Sequence, residues 1–224
     1  MDKESHVMYQ DDNIIVAFKP YGLLSEADGT NPNLPAVLKE ETGCDSIFTV
    51  HRLDRTTQGL MVYAKTQEAA RCLSKAIQDG TMEKTYLAVI EGVPEDRQGE
   101  FTDLLYFDRR KNKSYVVKRE RRGVKQARLQ YEVLQTIEHE GERLSLLQIH
   151  LLTGRTHQIR VQFASRQMPL VGDRRYGSHI PAEHIQLCSA RLSFPHPVTG
   201  EKLNFSVDPT EEYFALFDSI TKRS

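Results

Sequence analysis

The stretch HRLDRTTQGLMVYAKTQEAARCLSKAIQDG, residues 51–80, contains three kinds of local structure in thirty positions. It opens as a loop after the strand-like Phe48-Thr49-Val50 and sets Asp54 between Arg52 and Arg55. Leu60-Met61-Val62-Tyr63-Ala64 is an unbroken apolar run, the pattern of a strand buried on both faces. Thr66 is a suitable N-cap for a helix over 67–79. Ala69, Leu73, Ala76 and Ile77 fall on one face of that helix, and Gly80 stops it.

Outward from this block the chain reads mostly as strands. Ile14–Phe18 is a short apolar run halted by Lys19-Pro20, and Pro35–Glu41 has room for one short helix. Thr85–Ile90 alternates, with Tyr86, Ala88 and Ile90 on one side. Leu129, Tyr131 and Val133 alternate, as do Leu147, Ile149 and Leu151. Helical spacing returns over Thr156–Arg166, and Leu187–Phe194 and Leu203–Val207 are further strands. No regular strand–helix alternation runs through the chain, so the expected class is α+β, with a mainly antiparallel central sheet flanked by a few helices. At ~150 residues per domain, 224 residues predict one domain spanning 1–224.

Composition excludes several classes. No apolar run approaches the ~18 residues of a membrane span, and the opening MDKESHVMYQDDN is too polar for a signal peptide. Cys44, Cys72 and Cys188 are odd in number and far apart, which suits a reducing cytoplasm. Neither CxxC nor HExxH occurs, and the eight histidines form no ligand pattern, so no metal site is expected. The formal net charge of −1 conceals a strong asymmetry. Residues 109–128, RRKNKSYVVKRERRGVKQAR, hold ten Lys or Arg and one acid. Such a concentration suits a phosphate backbone, or simply a solvated loop.

Two further motifs carry chemistry. An apolar strand ends at Leu151-Leu152-Thr153-Gly154 and passes into Arg155-Thr156-His157-Gln158-Ile159-Arg160. The start of a helix bearing two guanidiniums suits an anion, and it equally suits a plain helix start with surface arginines. Asp54, flanked by positive charge, is either an ionised nucleophile or base, or an ion-paired loop residue. Nothing local to Tyr86 marks it as more than a core tyrosine.

Taken together, these pieces resemble the RluA-type pseudouridine synthases. The residues that carry the resemblance are Tyr9–Leu23 with its Lys19-Pro20-Tyr21-Gly22 loop, HRLDRTTQGLMVYAKT, Lys84–Val89 with Gly92, Leu152–Val161, Pro169–Gly177 and Leu192–Pro197. They run in order from about residue 9 to about 208. Thr56, Gln58, Gln162 and Ser189 depart from the family's usual residues, and 25–35 match it poorly. With the block starting near residue 9, the S4-like domain that some members carry is not expected in these residues. The resemblance implies the pseudouridine synthase catalytic fold and isomerisation of uridine to pseudouridine in ribosomal or transfer RNA, with no cofactor and no metal. It assigns Asp54 as the essential carboxylate, Tyr86 as the residue against the base, and Arg160 as the partner that holds Asp54 ionised. Arg52 then fills the space of the extruded base. Arg55, Arg155 and His157 lie along the RNA, with Arg119, Arg121 and Arg122 of the basic stretch on flanking phosphates. A monomeric cytoplasmic enzyme is expected. A non-catalytic RNA-binding or ribosome-assembly protein on the same fold is the alternative. A glycosidase is disfavoured, since no second carboxylate accompanies either motif.

Overall fold

A computed structural model describes residues 6–218 of the chain. In chain order the elements are β1 (Val7–Gln10), β2 (Ile14–Lys19), α1 (Leu34–Thr42), β3 (Phe48–Thr49), β4 (Gln58–Ala64) and α2 (Gln67–Gln78). There follow β5 (Glu83–Glu91), β6 (Gln98–Asp108), β7 (Lys113–Val117), β8 (Val124–His139) and β9 (Glu142–Leu151). The chain closes with α3 (Gln158–Ala164), a 3-10 turn Arg174–Tyr176, β10 (Leu187–Pro195), β11 (Lys202–Ser206) and a second 3-10 turn Glu212–Leu216. The class is α+β with mostly antiparallel pairing. The elements group into two compact units, residues 6–84 with Cys188–Val207, and Thr85–Leu187 with residues 208–218.

The first unit is built around β4. Strand β2 runs antiparallel along it, Ile14 opposite Ala64 through Lys19 opposite Gly59. Strand β3 pairs with Tyr63 and Ala64, and β10 runs parallel beside Gln58 and Gly59. Gly59 has φ +124, and a Cβ there would sit 2.4 Å from the Ser189 carbonyl oxygen, so only glycine lets β10 approach this closely. The Thr66 hydroxyl accepts the Ala69 N–H, and α2 lays Ala69, Leu73 and Ala76 against Ile14, Val16, Leu60, Val62, Leu192 and Phe194. Burying Leu73 alone contributes about 1.5–3 kcal/mol.

In the second unit the strand order is β5-β9-β8-β6-β7, antiparallel throughout. Helix α3 rests on this sheet through Phe163, whose ring lies 5.0 Å from Phe101 and 5.8 Å from Tyr131. Half of the basic stretch is strand: Ser114–Val117 fall in β7, Val124 onward forms β8, and Gly123 turns with φ +86. Two features differ from expectation. Strand β6 has no clear sequence signal, because the face that buries Phe101 and Leu105 carries the charged Asp103 between them, which interrupts the apolar alternation. Helix α3 is only seven residues long rather than spanning 156–166, because His157 takes a left-handed conformation, φ +55, and the residues before it form a loop.

Candidate active site

The loop carrying Asp54 is pinned by its neighbour in the first unit, the loop after β2. The Ser25 hydroxyl donates to the Leu53 carbonyl at 2.8 Å and accepts the Leu53 N–H at 2.9 Å. The Ser25 carbonyl in turn accepts the hydroxyls of Thr49 and Tyr63. Arg55 Nε donates to the Gly22 carbonyl at 2.8 Å while Gly22 N–H donates back to the Arg55 carbonyl at 2.9 Å. Thr57 N–H closes a turn on the Asp54 carbonyl. The backbone on both sides of Asp54 is thereby fixed, and its side chain is half-buried. His51 is buried with Nε2 accepting the Val62 N–H, and burial pushes its imidazole well below the usual range, so it is neutral.

Lys19, the lysine of the Lys19-Pro20 pair, has no solvent exposure. Its ammonium donates to the carbonyls of Pro20 and Leu23 at 3.0 and 2.9 Å. Burial pulls its amine down to about 8, opposed by the negative charge of Asp54 and assisted by the positive charge of Arg55. Arg52 reaches the other way: its Nη1 lies 2.7 Å from Glu26 Oε1. Both side chains are more than half exposed, so this pair is worth about 0–1 kcal/mol and opens readily.

In the second unit Tyr86 is buried on β5 opposite Ile149 of β9. The loop before α3 is organised by Gln158. Its Oε1 accepts the Thr153 hydroxyl at 2.8 Å and the Arg155 N–H at 3.0 Å, while its Nε2 donates to the Arg128 carbonyl at 3.0 Å. The helix therefore starts from a loop held by Gln158 and has no side-chain cap of its own. Arg155 Nε donates to the Gln126 carbonyl at 2.9 Å, which lays it along β8 and the basic stretch. His157 is buried, its Nδ1 3.0 Å from the Tyr176 hydroxyl. Arg160 is buried too and meets Asp173 at two points, Nε to Oδ2 at 2.6 Å and Nη2 to Oδ1 at 2.9 Å. Its guanidinium carbon lies 5.0 Å from the centre of the Tyr176 ring.

Arg119, Arg121 and Arg122 are exposed in the turn between β7 and β8, with the Arg121 guanidinium 4.7 Å from the Tyr106 ring centre. Ser114 ties β7 to the loops beneath it, its N–H donating to the Tyr176 hydroxyl at 2.7 Å and its own hydroxyl to the Thr156 carbonyl at 2.5 Å. Among the described residues no three His, Cys, Asp or Glu side chains cluster as metal ligands, and no helix is long and apolar enough to cross a membrane. Sequence reasoning missed Ser25, Gln158, Asp173 and Tyr176. Ser25, Asp173 and Tyr176 work through partners distant in the chain and Gln158 joins near and distant ones, and only Gln158, Asp173 and Tyr176 lie in motif blocks that had singled out their surroundings.

The local chemistry is a half-buried carboxylate on a fixed loop, a fixed buried guanidinium and an exposed arginine-rich turn. Comparison with known proteins gives these features a context. Residues 13–165 match the sequence model of the family described as RNA pseudouridylate synthase. An uncharacterized RNA pseudouridine synthase of Aquifex aeolicus is 32% identical over 238 residues, covering 98% of this chain and 74% of that protein. The dual-specificity RNA pseudouridine synthase RluA of Escherichia coli is 32% identical over 213 residues, covering 89% of this chain and 90% of that one. In fold, the chain is similar to human RNA Pseudouridylate Synthase Domain Containing 1, with TM-score 0.77 and 20% identity over 94% of this chain and 87% of that one.

Proposed function

The chain belongs to the RNA pseudouridylate synthase family, and we propose that Asp54 is the carboxylate through which it isomerises uridine to pseudouridine in RNA. The reaction breaks the N1–C1′ glycosidic bond, turns the uracil and joins C5 to C1′, after which C5 gives up its proton and N1 regains one. Atoms and oxidation state are conserved, so no redox cofactor is called for. The observation that supports the reading is that HRLD and TGRTHQIR occur, in order, within residues 13–165, the span that matches the family.

A carboxylate acting at C1′ or on the C2′ proton must be ionised and aimed. The bracing of Leu53 and Arg55 supports the aim, and the family resemblance assigns Arg160 as the partner of Asp54. Tyr86 stands against the base, and Arg52, on its weak leash to Glu26, fills the space the base leaves. Extruding a stacked uridine costs a few kcal/mol. Phosphate contacts from Arg119, Arg121 and Arg122, with Arg55, Arg155 and His157 nearer the target, offset that cost. The substrate is ribosomal or transfer RNA, and the enzyme works as a cytoplasmic monomer without metal.

The test is Asp54→Asn, with tritium release from transcripts labelled at uridine C5. The amide keeps the shape of the carboxylate and none of its charge. Folding is expected to stay intact and turnover to vanish. A variant that isomerises uridine near the parent's rate would overturn the assignment and favour an RNA-binding role on the same fold.

A further inference from the structure

Arg160 and Asp173 are 4% and 1% exposed, which makes them a buried ion pair. Such a pair does little for stability. Removing two charges from water costs several kcal/mol per ion, and apolar replacements of equal volume are often neutral or better. What a two-point Arg–carboxylate pair supplies well is direction. Asp173 takes the Nε–Nη2 edge of the Arg160 fork, which fixes the plane of the guanidinium and the aim of its remaining Nη1 corner.

The loop presenting Asp173 has little freedom of its own. Gly172 has φ +80, and a Cβ there would lie 2.5 Å from the His184 carbonyl oxygen. The Ser178 hydroxyl accepts the Gly172 N–H at 3.0 Å and donates to the buried carboxylate of Glu91 at 2.5 Å. The Asp173 carbonyl accepts the N–H groups of Tyr176 and Ser178. The Tyr176 ring then covers the guanidinium, and its hydroxyl ties that ring to Ser114 and His157. The carboxylate, the ring and the loop beneath them all restrict one side chain.

We propose that Asp173 is a positioning residue that orients Arg160 for the isomerisation. It acts through Arg160 and touches neither the uridine nor the phosphates. The inference rests on the reading of Arg160 given above, and kinetics can separate the two. With transcripts labelled at uridine C5, kcat and KM are measured for Arg160→Met, Asp173→Asn and the double variant, after thermal melts establish that each is folded at the assay temperature. A misaimed group costs up to about 100-fold in rate. Asp173→Asn is therefore expected to lower kcat about 10- to 100-fold with little change in KM. In the Arg160→Met background the same change should cost nothing further, because residues acting as a unit do not add. Asp173→Glu keeps the charge and shifts it by one methylene, so it serves if the Asn variant fails to fold. Its kcat should also fall, at least about fivefold on the same argument. Losses that multiply in the double variant overturn the positioning role alone, as does a parent-like kcat in folded Asp173→Asn or Asp173→Glu. A parent-like kcat for Arg160→Met overturns the reading of Arg160 and the inference with it.

Discussion

Replacing Ser25 by Ala tests how the Asp54 loop is held. Ser25 and Leu53 are both buried, and the one hydroxyl satisfies both the N–H and the carbonyl of Leu53. Alanine removes two hydrogen bonds worth about 1 kcal/mol each and leaves a buried peptide group unmatched, at about 1–3 kcal/mol if nothing rearranges. Partial relaxation brings the expected loss to about 2–3 kcal/mol. For a chain of 224 residues each kcal/mol moves the melting midpoint by about 2–4 °C, so the midpoint should fall by about 4–12 °C. Tritium release is then measured well below that midpoint, where the variant is folded. There kcat should drop about tenfold or more, because Asp54 is the next residue after Leu53 and inherits its freedom. Ser25→Cys keeps the shape with a slightly larger atom and a weaker donor, and should fall between the two. A Ser25→Ala protein that melts within about 2 °C of the parent and turns over at the parent's rate would show that the hydroxyl does not set the loop.

Two further outcomes are expected. Changing Arg119, Arg121 and Arg122 together to Ala should weaken RNA binding and flatten the plot of log K against log salt by up to ~2–3 units, at ~0.7–0.9 for each phosphate no longer neutralised; a merely solvated turn predicts an unchanged slope. Lys19 gives the fold a particular pH dependence: its amine releases a proton near 8 in the folded chain and near 10.5 in the unfolded one. Between those values the unfolded state holds more protons, so stability rises with pH. The parent should gain on Lys19→Met by up to about 1.4 kcal/mol per pH unit in that window. A difference in unfolding free energy that stays flat from about pH 7 to 10 would refute this.

The strands β2, β4, β5 and β9 were readable because burial of whole strands leaves unbroken or alternating apolar runs, and α2 because Thr66 marks its start. The carboxylate loop was readable as well, since HRLD is local in sequence. The supports of that loop were not. Ser25 lies in the segment that fits the family pattern poorly, and its value comes from meeting Leu53, 28 residues on. Asp173 is thirteen residues from Arg160 and looks like an ordinary turn acid until the fold closes the pair. Strand β6 failed to announce itself for a different reason: much of its surface is half-exposed, so the apolar signal is thin.

The parallel pairing of β4 with β10 has a consequence for the chain while it is being made. Ser189 donates to the Leu60 carbonyl across 129 residues, with all of the second unit's sheet encoded in between. At ~5–20 residues per second, β4 leaves the ribosome roughly 6–26 s before the strand that completes its edge exists. For that interval the edge at Gln58 and Gly59, next to the Asp54 loop, lacks its partner, with the bare glycine shaped for one neighbour only. A nascent or truncated polypeptide stopping short of residue 188 leaves this end of β4 as an unpaired edge of the kind that recruits other strands. Full translation is therefore a quality gate: the frame beside Asp54 closes only on a chain that has been read through β10.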